Sequence, residues 1–291
     1  MHFPKFWTMA TWDSTDADGK DLSRDAWGWS DLSLDDARKV AVERARRFAE
    51  TFVAGTPSRH YGYPDRPLRE PVLRTLASDP AGVQAVITRN AYGCDVLNTD
   101  CIVFIDVDLP ELPRPAGPGL LARLFGRPKA APPEDPRIAV EAEKISRLEN
   151  WQRGHPELSF RVYRTAAGLR YLLTSTLAAP DDSLIAAAMD ATGADPDYRR
   201  LCRVQKSFRA RLTPKPWRCG APRPPHRFPF VDADQTAAME RWLTKYQNTA
   251  AGHATCLHLL TIGAGSVAAA IAPVLAEHDR LTRADAALPL A

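Results

Sequence analysis

The sequence predicts an α+β fold: a mainly antiparallel sheet covered by helices, with an N-terminal extension and a helical C-terminal tail. Three observations carry this. The apolar patterns run in the order strands, helix, hairpin, helices, strand and helical tail, not in the βαβα alternation of a doubly wound sheet. No G-x-G-x-x-G follows a strand and no G-x-x-x-x-G-K-[ST] occurs, which argues against a Rossmann cofactor or a P-loop. The 291 residues are 45 % apolar and 25 % charged, ordinary for a globular chain of one large or two small domains.

Residues 1–32 are polar with scattered tryptophans (Trp7, Trp12, Trp27, Trp29) and read as an extension held by aromatic anchors. Ser33 and Asp36 give a helix start signal, followed by a stripe of Val40, Ala41, Ala45, Phe48 and Phe52. Gly55 and Pro57 end that helix. A loop over 59–71 leads to a short helix expected near 71–77. Strand-like runs cover 84–91, 95–100 and 101–108. The last, CIVFIDVD, is almost continuously apolar and reads as a central strand covered on both faces. Residues 109–133 form a Pro/Gly-rich insertion read as a surface loop, with a short helix at LLARLF.

A helix over 135–153 follows from Ile138, Ala142, Ile145, Leu148 and Trp151. Residues 158–176 read as two strands around an Ala-Ala-Gly turn. Helices are expected over 181–192, capped by Asp181 or Asp182, and over 195–205, then a strand over 207–213. The tail from about 234 is expected to be helical. Its uncharged stretch 255–276 is long enough to span a bilayer, but its Ala/Gly content, His258 and Pro273 favour a buried helix pair. The expected division is 1–83 (extension and helices), 84–232 (α+β core) and 233–291 (helical tail).

Thirty-eight Lys+Arg against 35 Asp+Glu leave a net charge of only +3, so any basic site must be local. Arginines outnumber lysines 30 to 8; Arg is the better phosphate fork, though a GC-rich genome gives the same bias. Five cysteines without a C-x-x-C read as reduced thiols, and with an N-terminus unlike a signal or transit peptide they point to a cytoplasmic protein without membrane contact.

Three segments carry candidate chemistry. Asp106 and Asp108, two apart on a strand, share one face about 7 Å apart. Such a pair repels unless neutralised, and Mg²⁺ or Mn²⁺ does this with one or two carboxylates plus phosphate oxygens. The bland reading is an acidic strand end before Pro110. The second segment, Tyr163 to Arg170, joins a tight Gly turn to two flanking arginines, so that Arg164, Thr165, Gly168 and Arg170 are candidate phosphate ligands; its alternative is a hairpin with solvated arginines. The third, residues 198–231, holds ten Arg/Lys and no acidic residue. Alternation in SFRARLT places Arg209 and Arg211 on one face. With Lys206 and Lys215 they make a candidate polyanion surface, to which Trp217 and Arg218 add a base-stacking or cation–π element. The alternative is a basic surface pairing with the chain's own acidic stretches.

A strand ending in hhhDhD, then a helix, then a small-residue turn feeding a strand resembles the archaeo-eukaryotic primase superfamily over residues 84–232. The resemblance implies an RRM-like catalytic core, with Asp106 and Asp108 as catalytic and metal-binding carboxylates for Mg²⁺ or Mn²⁺. It also implies a nucleotide-binding turn at Thr165-Ala166-Ala167-Gly168-Leu169-Arg170, where Arg170 stands in place of the family's His. The family's third motif, an apolar residue followed by a carboxylate, is matched only by Val231-Asp232. The implied function is a metal-dependent, primase-like nucleotidyltransferase acting on a nucleotide or single-stranded nucleic acid. The alternative is a non-catalytic nucleic-acid-binding module. A D-x-D glycosyltransferase would need an N-terminal βαβ array where residues 1–83 offer helix and loop. A dehalogenase-like phosphatase would carry Gly-Thr where Leu109-Pro110 stand.

Overall fold

Among the described residues the strand runs build two four-stranded antiparallel sheets and a separate hairpin. A computed structural model describes residues 1–15, 19–53, 67–78, 83–110 and 136–291. The Gly55–Pro57 helix stop, most of the 59–71 loop and the expected LLARLF helix lie outside these residues.

Strands β1 (Phe6–Thr15) and β2 (Asp21–Ser30) pair in unbroken register, so the expected aromatic extension is a hairpin. Trp7 is buried, 5.6 Å from the Trp29 ring. Helix α1 (Leu34–Val53) begins at Ser33, whose Oγ accepts from the Asp36 N–H at 3.1 Å, as the start signal predicts. Its buried stripe is Ala37, Ala41, Ala45 and Ala49; the sequence predicts Ala41 and Ala45 there, but Val40, Phe48 and Phe52 are not part of it. The reason is the approach of the hairpin: a Cβ at Gly28 would lie 2.1 Å from the Ala37 carbonyl oxygen. Only small residues fit there, and Phe48 and Phe52 are displaced to the exposed flank under Arg44 and Arg24.

One sheet runs β3 (Val72–Ser78), β4 (Gln84–Arg89), β5 (Asp95–Thr99), β9 (Phe208–Arg211). The other runs β10 (Cys256–Ile262), β7 (Phe160–Thr165), β8 (Gly168–Leu173), β6 (Phe104–Asp108). A single sheet over 84–213 was expected. The chain changes sheets at 100–103, where Thr99 Oγ1 donates to the Ile102 carbonyl at 2.6 Å and Ile102 and Val103 are fully buried. The apolar run of 101–108 thus contains a buried crossover as well as a strand. Nor is β6 central in its sheet: among the described residues it bonds only to β8, and its other edge faces β9.

Two further elements correct the sequence reading. Residues near 71–77 form β3, an irregular strand at the sheet end whose pairing with β4 decides what local pattern does not. The stretch 255–276 is not a helix pair: β10 adds to β7, and Gly263 (φ +87°) and Gly265 (φ +72°) turn the chain before α6 (Ala272–Thr282). Among the described residues no helix is long and apolar enough to cross a membrane.

The remaining helices match expectation: α2 (Pro136–Arg153), α3 (Ser183–Thr192, capped by Asp182), α4 (Pro196–Gln205) and α5 (Ala233–Ala250). From β6 through α2, β7, β8, α3 and α4 to β9, the core has β-α-β-β-α-β order with a doubled second crossover and the last strand moved into the neighbouring sheet. Its apolar interior spans both sheets, with Phe104, Phe160, Tyr163, Tyr171 and Phe208 fully buried; each such aromatic ring contributes about 1.5–3 kcal/mol. A second cluster, Trp242 and Tyr246 of α5 with Met239, Cys219 and Ala221, anchors the loop after β9. All five cysteines are unbridged.

Candidate functional site

The seam between β6 and β9 is closed by side chains rather than by a strand ladder. The Tyr198 hydroxyl of α4 donates to the Phe104 carbonyl at 3.0 Å and accepts from the Arg209 N–H at 3.3 Å. One residue pair further along, Arg170 on β8 donates through Nε to Asp106 Oδ1 and through Nη1 to the Arg211 carbonyl, both at 3.0 Å. The Asp195 N–H, at the start of α4, donates to the Asp106 carbonyl at 3.0 Å. Beyond these bridges the seam opens into a cleft.

Phe104, Asp106 and Asp108 alternate onto one face of β6. His278 of α6 covers that face at Phe104, with ring centroids 5.3 Å apart, and leaves the carboxylate end open. Arg170 is 3 % exposed and neutralises Asp106 from within the protein. Asp108 is exposed, and its carboxylate has no hydrogen bond or ion pair among the described residues. Its carboxyl is held above the ordinary range by partial enclosure, then by the negative charges of Asp195 and Asp106, against the pull of Lys215 and Arg218.

Facing the aspartates are three cations. Arg211, Lys215 and Arg218 line a cavity of about 80 Å³ together with Asp106, Asp108 and the 165–167 turn. That is far below the ~300–1,000 Å³ of a site for a whole small molecule and matches a single phosphate-sized group. Burial pushes the Arg211 guanidinium below its ordinary pKa, helped by Arg170 and Arg218. Burial also lowers Lys215, helped by Arg211 and Arg218. The Arg211 guanidinium donates no hydrogen bond among the described residues. A wider groove of about 360 Å³ adjoins at Asp106, Arg170 and Arg211 and continues past Arg209 and Tyr92. Arg209 is held there by Glu70, with Nη2 at 2.7 Å from both carboxylate oxygens, and Thr88 Oγ1 donates to the same carboxylate at 2.6 Å.

Of the residues singled out in the sequence, Asp106, Asp108, Thr165, Arg170, Arg209, Arg211 and Lys215 surround this cleft. Three do not belong with them. Arg164 pairs opposite Leu169 while Arg170 pairs opposite Tyr163, so the two arginines point to opposite faces, and Arg164 forms a two-pronged ion pair with Glu141. Gly168 does not hold open space for a phosphate: a Cβ there would lie 2.1 Å from the Val107 carbonyl oxygen, so the missing side chain lets β8 run beside β6. Lys206 ends α4 in a left-handed conformation and lines neither cavity. Thr165 closes the hairpin turn, its Oγ1 accepting from the Gly168 N–H at 3.0 Å. Asp232 caps α5 by accepting from the Gln235 N–H at 2.7 Å, so Val231-Asp232 is no strand-borne carboxylate.

Sequence reasoning missed Tyr198, Glu70, Asp195 and Tyr92. Tyr92 alone left a signal, as a large aromatic in a tight turn between two strand runs.

Among the described residues no group of three or more His, Cys, Asp and Glu side chains is placed to hold a metal ion. Asp106 and Asp108 are two carboxylates at one cavity, short of the donor set of an all-protein metal centre. Compared with known protein families, curated proteins and solved structures, the chain has no match.

Proposed function

We propose that the protein binds the phosphate groups of a nucleotide or a single-stranded nucleic acid in the cleft between β6 and β9. Arg211 carries this reading: its guanidinium makes no hydrogen bond or ion pair among the described residues, feels the Asp106 charge only from a distance, and lies beside Lys215 and Arg218 at one small cavity. Three cations held together repel one another, and a phosphate relieves the repulsion while accepting charge-assisted hydrogen bonds. Arg170, in this reading, is the internal counter-ion of Asp106 that holds the seam. The resemblance of the Asp106–Asp108 strand and the 165–170 turn to the primase superfamily supports nucleotides as the phosphate source.

A second reading, primase-like nucleotidyl transfer, is favoured by Asp108, whose carboxylate has no hydrogen bond or ion pair among the described residues and lines the same cavity as the cations. Asp108 and Asp106 would hold Mg²⁺ or Mn²⁺ jointly with the phosphates. When bound, the cation supplies neutralisation of the phosphate charge. Arg211, Lys215 and Arg218 would orient the phosphates against it.

Calorimetry with a nucleoside triphosphate at low salt tests both. Binding is expected, and replacing Lys215 and Arg218 together by Ala should weaken it at least tenfold, since charged hydrogen bonds contribute about 1.5–3 kcal/mol each. Mg²⁺ strengthening the binding favours the transfer reading. Mg²⁺ weakening it, by competing for phosphate, favours binding alone. No binding of triphosphate or of a single strand at low salt rejects both.

A further inference from the structure

Tyr92 and Trp217 are exposed at 46 % and 44 %, yet both stand on firmly held backbone. Their rings meet edge to face, centroids 5.3 Å apart at 84°. Tyr92 tips the β4–β5 turn, where Asn90 Oδ1 accepts from the N–H groups of Tyr92 and Cys94 at 2.9 and 3.1 Å. Gly93 (φ +79°) brings that turn onto Trp242 of α5, whose ring would lie 2.2 Å from a Cβ there. Trp217 sits in a short 3₁₀ turn, Pro216–Arg218. The Pro214 carbonyl before it accepts from the Tyr246 hydroxyl at 2.6 Å, and the Pro216 carbonyl accepts from the Cys219 and Ala221 N–H groups. The second apolar cluster therefore fixes both ring positions from behind and leaves the rings at the surface.

The pair is continuous with the cationic cleft. Tyr92 lines the wider groove with Arg209 and Arg211, and the Lys215 ammonium lies 5.6 Å from the Trp217 ring centroid while also lining the small cavity. Arg223 approaches the same ring at 5.5 Å. Rigid exposed aromatics interleaved with cations are what a single strand needs, since every base has a stackable face and every linkage a negative charge. A mononucleotide would use only the cavity; Lys215 and Arg223 at the Trp217 ring would meet the further phosphates of a strand.

We infer that Tyr92 and Trp217 form a base-stacking platform for a single-stranded nucleic acid whose phosphates run into the cleft lined by Lys215, Arg218 and Arg211. This rests on the phosphate-binding function proposed above.

The test uses a fluorescently labelled ten-thymidine strand, an abasic strand of the same length and inorganic triphosphate, all at low salt. Wild type should bind the thymidine strand about tenfold or more tighter than the abasic one, from base–aromatic stacking of about 1–3 kcal/mol per base. Trp217→Ala and Tyr92→Ala should each weaken thymidine-strand binding by about tenfold. Trp217→Phe should restore most of it, and inorganic triphosphate should bind all variants as it binds wild type. Equal affinity of wild type for the two strands overturns the platform, and needs no variant to fold. Alanine variants that fold and bind the thymidine strand like wild type also overturn it. Triphosphate binding without strand binding overturns the platform and spares the phosphate site; binding of neither overturns both.

Discussion

Arg170 and Asp106 face each other across the paired strands β8 and β6, and the cation is the more deeply buried partner: its side chain is 4 % exposed against 32 % for the carboxylate. The pair therefore defines Asp106 as a structural anion as much as a candidate ligand. The same guanidinium bonds the Arg211 carbonyl, so the ion pair also ties the two sheets together.

Asp106→Asn should destabilise the fold by about 3 kcal/mol, because it leaves a buried guanidinium uncompensated. Asp108→Asn should do the opposite at neutral pH. The folded Asp108 carboxyl titrates above its ordinary 3.8, so the unfolded chain gives up that proton more readily. Its charge then costs stability above the folded pKa and costs nothing below about 3.8. Denaturant titrations of both variants at pH 7 and pH 3.5 should show Asp108→Asn gaining stability only at the higher pH. Equal losses for the two variants at pH 7 would contradict the different roles.

His278 provides an acid limit. It is fully buried, its Nδ1 bonds Asp279 Oδ1 at 2.9 Å, and its Nε2 has no partner among the described residues. Burial lowers its pKa below the ordinary 6.5, with the nearby Arg170 charge adding to the shift, against the Asp279 bond. The unfolded chain takes up that proton first as pH falls. Stability should decline as pH drops below about 7 and level off once the folded pKa is passed. Melting temperatures from pH 8 to 5 should show this decline in wild type and a flatter profile in His278→Gln.

Lys215 links pH to binding. Burial and its cationic neighbours hold its pKa below 10.5, and a bound phosphate should raise it again. Triphosphate binding near pH 9 should therefore take up protons, seen as a buffer-dependent enthalpy. Lys215→Arg, charged throughout, should remove the proton uptake while retaining binding. Buffer-independent heats in wild type would separate Lys215 from the phosphate.

The fold was legible wherever a segment's own pattern decides its structure. The helices over 136–153, 183–192 and 196–205, and the hairpin around Ala166-Ala167, follow from periodicity and turn chemistry. What stayed hidden was set by partners distant in sequence. β3 and β10 are strands because β4 and β7 accept them, and the Ala face of α1 is chosen by Gly28. The change of sheet at 100–103 has no local signature inside an apolar run. The site divided in the same way. Alternation placed Asp106 with Asp108 and Arg209 with Arg211. Strand register alone sends Arg164 to the opposite face, and tertiary packing alone brings Tyr198, Glu70 and Tyr92 to the seam.

The central claim, that the cations at the β6–β9 seam contact phosphates, is tested most directly by the salt dependence of thymidine-strand binding in wild type and Arg218→Ala. For a single strand, each neutralised phosphate contributes about −0.7 to the slope of log affinity against log salt. Wild type should show a slope of several such units, and Arg218→Ala should flatten it by about 0.7 while keeping the melting temperature of wild type. An unchanged slope in a folded Arg218→Ala protein would contradict the account.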